Sequence, residues 1–165
     1  LSRRAQIQMS DSEVASFLAE QRIVTCATIG PRGWPHLMPL WYVLRGRSEI
    51  GQRLWSWTYA ASQKVRNLER SARATLQVES GLEYQQLRGV MLECDVVIHR
   101  DLETVAELGR EIFGRYASPP GAPPVRELHS EVAAMVDKQA RKRVGLEFVE
   151  LRRATWDHRK LGGAY

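Results

Sequence analysis

The feature that most constrains this chain is a strict two-residue alternation in its middle third. Ala74, Leu76 and Val78 alternate with Thr75, Gln77 and Glu79. Val90, Leu92, Cys94, Val96 and Ile98 alternate in the same way through a longer segment, about 86–99. Successive side chains on a strand point to opposite faces, so a period of two marks strands with one face in a core and the other toward water. Strands half-buried in this way belong to antiparallel sheets, whereas doubly wound parallel sheets show continuous apolar runs.

The remaining segments fit around that sheet. Ser10 with Glu13 three residues on forms a capping box, opening a helix at about 11–21 with Val14, Phe17 and Leu18 as its apolar stripe. Residues 22–29 are rich in β-branched side chains and stop at Gly30-Pro31-Arg32-Gly33, so they read as a strand and turn. A second strand runs from Pro35 to Leu44. Its prolines, Pro35 and Pro39, donate nothing to a ladder and mark an edge or a bulge. A turn at Arg45-Gly46-Arg47-Ser48 leads to a third strand, Gln52 to Thr58. From Ala61 the period changes: Ala61, Val65, Leu68 and Ala72 fall on one helical face. Asp101 caps a helix carrying Val105, Gly109, Ile112, Phe113 and Tyr116, which the proline-rich stretch 118–124 ends. A further helix places Leu128, Val132, Met135 and Val136 inward. Val144 to Leu151 is the last strand, followed by a tail. The expectation is a mainly β, α+β fold: a compact six-stranded antiparallel barrel decorated by helices, as one domain over residues 1–165.

Several chemistries are set aside by pattern. No apolar run approaches the roughly 18 residues that span a bilayer, and residues 1–8 hold no apolar signal region, so no membrane association and a cytoplasmic location are expected. Cys26 and Cys94 sit in apolar runs without CxxC spacing and read as buried, reduced thiols. His36, His99, His129 and His158 are scattered singly, and no metal site is expected. GxGxxG, Walker A, HExxH and GxSxG motifs are all absent. The net charge of +5 invites an anionic partner. Its excess gathers at 64–73, 138–143 and 152–160, in or beside regular elements, which favours a shaped anion pocket over a loose basic arm. A nucleic-acid partner is not expected, since the strand beginning Arg88-Gly89-Val90-Met91 lacks stacking aromatics.

The informative segment is residues 55–68, Trp-Ser-Trp-Thr-Tyr-Ala-Ala-Ser-Gln-Lys-Val-Arg-Asn-Leu. A strand ends at Thr58 and a helix begins near Ala61. Free backbone amides and the positive end of the helix dipole at such a junction suit a phosphate. Thr58 and Ser62 add hydroxyls, and Lys64 and Asn67 lie three apart on one flank. By spacing alone, a phosphate cradle and a solvated, ordinarily capped helix are both open. Trp41, Tyr42, Trp55, Trp57 and Tyr59 lie on two neighbouring strands and suit a planar phosphorylated heterocycle; they would equally serve as core or dimer contact.

The ensemble Pro39-Leu40-Trp41-Tyr42, then residues 57–70, then Arg73-Ala74-Thr75-Leu76, resembles the pyridoxamine 5′-phosphate oxidase-like split-barrel family. The ending 156–165, Trp-Asp-His-Arg-Lys-Leu-Gly-Gly-Ala-Tyr, is similar to the tail of its flavin/deazaflavin oxidoreductase branch. The resemblance implies an FMN or F420 (deazaflavin) site at a homodimer interface. It implies that Pro39, Leu40, Trp41 and Tyr42 line the ring, with Trp57 among the aromatics of the site. Thr58, Ser62, Lys64 and Asn67 would hold the phosphate, and Trp156 and Arg159 would approach from the partner subunit. Pyridoxamine 5′-phosphate oxidases proper carry a C-terminal arginine-rich substrate motif that Arg152-Arg153 and Arg159-Lys160 do not reproduce. The implied activity is hydride transfer between the bound flavin or deazaflavin and a small organic acceptor, with His158 and Tyr42 as candidate proton donors. The alternative is a non-catalytic binder of flavin, haem or another tetrapyrrole on the same barrel.

Overall fold

The computed structural model describes residues 2–46 and 51–162. The second half of the turn expected at Arg45–Ser48 and the last three residues of the tail lie outside them.

A short helix α1 (Arg3–Gln6) precedes α2 (Asp11–Glu20), where the capping box forms in full. The Ser10 amide donates to Glu13 Oε2 at 2.6 Å, and the Glu13 amide donates to Ser10 Oγ at 3.3 Å. The chain then gives β1 (Val24–Ile29), β2 (Pro35–Leu40), β3 (Val43–Arg45) and β4 (Arg53–Tyr59). Next come α3 (Gln63–Arg70), β5 (Arg73–Ser80), β6 (Arg88–His99), α4 (Leu102–Ala117), α5 (Ser130–Ala140) and β7 (Arg143–Asp157). A 3₁₀ turn at His158–Leu161 ends the described chain. None of the described helices is long and apolar enough to cross a membrane.

The strands form one sheet in the order β2-β1-β5-β6-β7-β4-β3, with every described pairing antiparallel. The count is seven rather than six because the strand expected over Pro35–Leu44 breaks at Trp41-Tyr42. Before the break, β2 pairs with β1; after it, β3 pairs with β4. One bent segment therefore joins the two edges of the curled sheet and closes it into a barrel. The crossing is held by side chains: Ser56 Oγ donates to the Trp41 carbonyl at 2.7 Å, and the Tyr42 amide donates to Tyr116 Oη at 2.9 Å. Beside this crossing β2 has β1 on one side and no ladder partner on the other, which leaves a split between the β2 edge and β4.

The last strand runs to Asp157, six residues beyond its expected end at Leu151. Its alternation is lost where a bulge shifts the register opposite Glu93 and Cys94, and residues 150–153 are all exposed there. Two apolar cores result. One fills the barrel, with Val24, Cys26, Leu76, Val90, Leu92 and Phe148. The other lies outside the sheet, where α4 and α5 cover Val43 and Trp57. Cys26 and Cys94 are buried free thiols, as expected; burial pushes each up to about 12.

Candidate functional site

The strand-to-helix junction is built as the sequence implies, but its side chains face inward. Ser62 is the N-cap of α3: its hydroxyl accepts from the Val65 amide at 3.4 Å, and the Arg66 amide donates to the Ser62 carbonyl at 3.2 Å. Helix geometry leaves the amides of Gln63 and Lys64 without an internal acceptor, so two N–H groups are free to meet an anion.

Lys64 is the decisive residue. It is only 4% exposed, and Nζ donates to Thr58 Oγ1 at 3.1 Å. Thr58 itself is 6% exposed. Among the described residues no carboxylate pairs with this ammonium, and burial lowers its pKa below the ordinary lysine value. A buried cation with one neutral partner is under-compensated, because desolvation costs several kcal/mol per ion and a hydroxyl returns a fraction of it.

Asn67 is 1% exposed and is occupied within the protein. Its Nδ2 donates to Thr28 Oγ1 at 3.0 Å, while Oδ1 accepts from Gln63 Nε2 and Arg70 at 2.8 Å each. Arg70 also donates to the Ile29 carbonyl at 3.0 Å. Asn67 thus anchors α3 to the end of β1, and its side-chain amide is engaged within the protein. Burial was its constraint, and sequence spacing carries no sign of it.

The expected aromatic wall divides. Trp41 is 45% exposed and stacks on Tyr116, with centroids 4.2 Å apart and planes inclined by 11°. Phe113 meets both Trp41 and Trp57 edge-on. Trp57 is buried under α4, with Arg143 over its ring, and is core rather than ligand wall. Tyr42 is fully buried, its hydroxyl donating to the carbonyls of Leu18 (2.6 Å) and Gln21 (3.0 Å). Burial pushes its pKa up to about 12. Tyr42 is therefore a core anchor whose side chain is turned away from any cofactor, which leaves it unsuited as a proton donor; only its backbone stays with the strand expected to line the ring. The run of four residues at 39–42 hid this, because the chain turns between edges there and sends Tyr42 inward. Pro39 and Leu40 remain at the accessible edge of β2.

Trp156 and Arg159 lie at the opposite end of β7 from the residues that pair with β4 at Thr58 and Tyr59. The Trp156 ring covers Gly89, so closely that a Cβ there would fall 2.2 Å from a ring carbon. Arg159 grips the buried Asp157 with two bonds, Nε to Oδ1 at 2.8 Å and an Nη to Oδ2 at 2.6 Å. That guanidinium holds the Asp157 carboxyl below the usual carboxylate range. Lys160 reaches Glu13 at 2.7 Å, so the tail is strapped to α2 of its own chain. His158 Nδ1 lies 2.9 Å from the Tyr84 carbonyl, which requires the hydrogen on Nδ1 and leaves Nε2 available. Within one chain neither His158, Trp156 nor Arg159 joins the junction.

A cavity of about 840 Å³ opens elsewhere, between the end of α2, β3 and the proline-rich loop, and none of the junction residues lines it. One of the four arginines that line it, Arg115, is spent on the carbonyls of Leu18, Ala19, Gln21 and Tyr42. It offers no counterpart to Lys64.

Known proteins share this architecture. Residues 10–139 match the family model described as pyridoxamine 5′-phosphate oxidase. A conserved hypothetical protein from Mycobacterium tuberculosis is 38% identical over 100% of this chain and 95% of its own, with a TM-score of 0.83. A structure titled F420 reductase matches 84% of this chain and 93% of its own at 19% identity and a TM-score of 0.60. HutZ, the haem storage protein from Vibrio cholerae, matches 86% and 89% at 12% identity and a TM-score of 0.62. The last two share the fold. A search of curated proteins gives no match.

Proposed function

The chain belongs to the pyridoxamine 5′-phosphate oxidase family, and on that premise we propose that it is an FMN- or F420-dependent oxidoreductase. It moves a hydride between the bound ring and a small organic acceptor. The observation that carries this reading is Lys64, a buried ammonium whose partner is a single hydroxyl. A phosphate at the start of α3 supplies the missing negative charge beside the two free amides and the Ser62 hydroxyl. When bound, a flavin or deazaflavin supplies a ring that accepts and returns hydride equivalents. The protein's part is to hold and orient it.

The residues divide that task. Thr58 fixes the Lys64 ammonium, and Asn67 fixes the helix that carries it. Pro39 and Leu40 border the split, with Trp41 exposed at the crossing. A ring held there needs a second wall, and β2 offers the place for one. Trp34 (74% exposed), Leu37 (57%) and Met38 (43%) form an apolar edge on the β1–β2 hairpin. A homodimer covering that edge brings in the tail of the second copy, with Trp156, Arg159 and His158. Through Nε2, which carries a proton only when the ring is an imidazolium, His158 is then the candidate proton donor.

Titration of apoprotein with FMN and with F420, followed by fluorescence and absorbance, tests the reading. Saturable one-to-one binding to either supports it, and turnover with reduced cofactor and candidate acceptors separates an enzyme from a storage protein. Tight haem binding with neither flavin nor deazaflavin affinity would replace it by the binder reading.

A further inference from the structure

We propose that His36 is an anion-contacting residue of the same site, with Nδ1 donating a hydrogen bond to the phosphate that Lys64 neutralises. The proposal rests on the flavin or deazaflavin reading and adds to it a residue that neither motif nor spacing suggested.

His36 is the second residue of β2 and pairs directly with Thr28 on β1. Directly opposed residues of an antiparallel pair project to the same side, with Cβ atoms about 5 Å apart. The side is fixed by Thr28, which is 1% exposed and accepts the Asn67 amide on its hydroxyl. The imidazole therefore lies on the inner face, level with the hydroxyl that anchors α3. Lys64 is one helical turn from Asn67 on that helix. Two residues back from Thr28 on the same face is Cys26, whose thiol feels the charge of Lys64. Thr28, Cys26, Lys64, Asn67 and His36 thus share one polar patch at the split.

Within that patch His36 Nδ1 is buried and has no hydrogen-bond partner. A ring nitrogen removed from water without a partner is costly, and such a group in a native fold asks for the partner it was built to meet. Two other buried atoms share the condition, Gln139 Oε1 and Arg143 Nε. Both belong to the α5–β7 corner, and the Arg143 guanidinium lies against Trp57 and Tyr59 on the helix-covered side. His36 alone of the three lies on β2, opposite the threonine that anchors α3. β2 is an edge strand, and Met38, next along the same face, is 43% exposed, so a small outward shift of this edge would open Nδ1 to the anion.

The test compares wild type, His36→Phe and His36→Asn. Phenylalanine keeps the ring shape and removes the nitrogens; asparagine returns a donor near the Nδ1 position. Each is titrated with FMN or F420 and with the phosphate-free parent, riboflavin or the deazariboflavin chromophore. The expected result is a loss of about tenfold or more in phosphorylated-cofactor affinity for His36→Phe. Affinity for the phosphate-free parent is unchanged, and His36→Asn recovers part of the loss. Thermal unfolding of apo His36→Phe, at or above the wild-type midpoint, shows that the fold is intact. Equal FMN or F420 affinity in wild type and His36→Phe overturns the proposal, as does an equal loss for both ligand forms. Failure of wild type to bind any of these cofactors would instead remove the function proposed above. In that event, titration with inorganic pyrophosphate decides for His36: its imidazole NMR resonances shift with the anion if the contact exists, and stay fixed if it does not.

Discussion

At the residue scale the account turns on Lys64. An ammonium at 4% exposure, bonded to Thr58 and facing no carboxylate among the described residues, costs the apoprotein stability. Lys64→Met is expected to stabilise the apo fold by about 1–2 kcal/mol, a rise of a few degrees in Tm, while FMN or F420 affinity falls at least tenfold. Thermal unfolding and cofactor titration on the same variant check both halves. The pH dependence follows from the lowered pKa. The unfolded chain holds the Lys64 proton to higher pH than the folded one. Apo stability therefore rises as pH climbs from the lowered folded pKa to the ordinary lysine value, and the penalty is present in full below that window. Affinity for the anion runs the other way, weakening as pH rises through the folded pKa. Lys64→Met should abolish both trends. That Lys64 stands at a strand-to-helix junction was legible in the sequence; that Lys64, Tyr42 and Asn67 would all be buried there was not. Neither periodicity nor motif spacing shows where a chain turns between sheet edges or which amide meets a buried threonine.

At the scale of elements, α3 is held by the polar contacts of Asn67 and Arg70 as well as by its apolar stripe of Val65 and Leu68. Thr28→Val keeps the shape of the side chain and strands the Asn67 amide, so it should destabilise the fold by about 1–3 kcal/mol. It should also loosen cofactor binding through the displaced helix; chemical unfolding with a parallel titration measures both. Strand β7 carries a second prediction. A methyl group on Gly89 would meet the Trp156 ring at 2.2 Å, so Gly89→Ala should push the tail out of place at a cost of about 1–3 kcal/mol. Increased tail proteolysis or a changed tryptophan emission reports it. The alternating strands, the capping box and the junction at 58–62 were legible because each obeys a local rule. The extension of β7 to Asp157 was not, because a bulge and a solvent-facing stretch erase the alternation. The break in the second strand was announced only by its prolines.

For the whole molecule, the barrel closes through one bent segment and leaves its β2 edge apolar and open. Exposed, flat apolar edges invite pairing with another chain. Leu37→Glu together with Trp34→Glu should convert a dimer to a monomer in sedimentation and cost cofactor affinity, since the second wall is lost with the partner. The proposed homodimer would bring together the two ends of β7, which a single chain keeps apart.

The measurement that bears most directly on the central claim is a side-by-side titration of wild type and Lys64→Ala with FMN and with F420. The account predicts saturable binding of at least one by the wild type, and a dissociation constant raised at least tenfold in a variant that still unfolds cooperatively. Indistinguishable constants for the two proteins would contradict it, since the buried ammonium would then serve no bound anion.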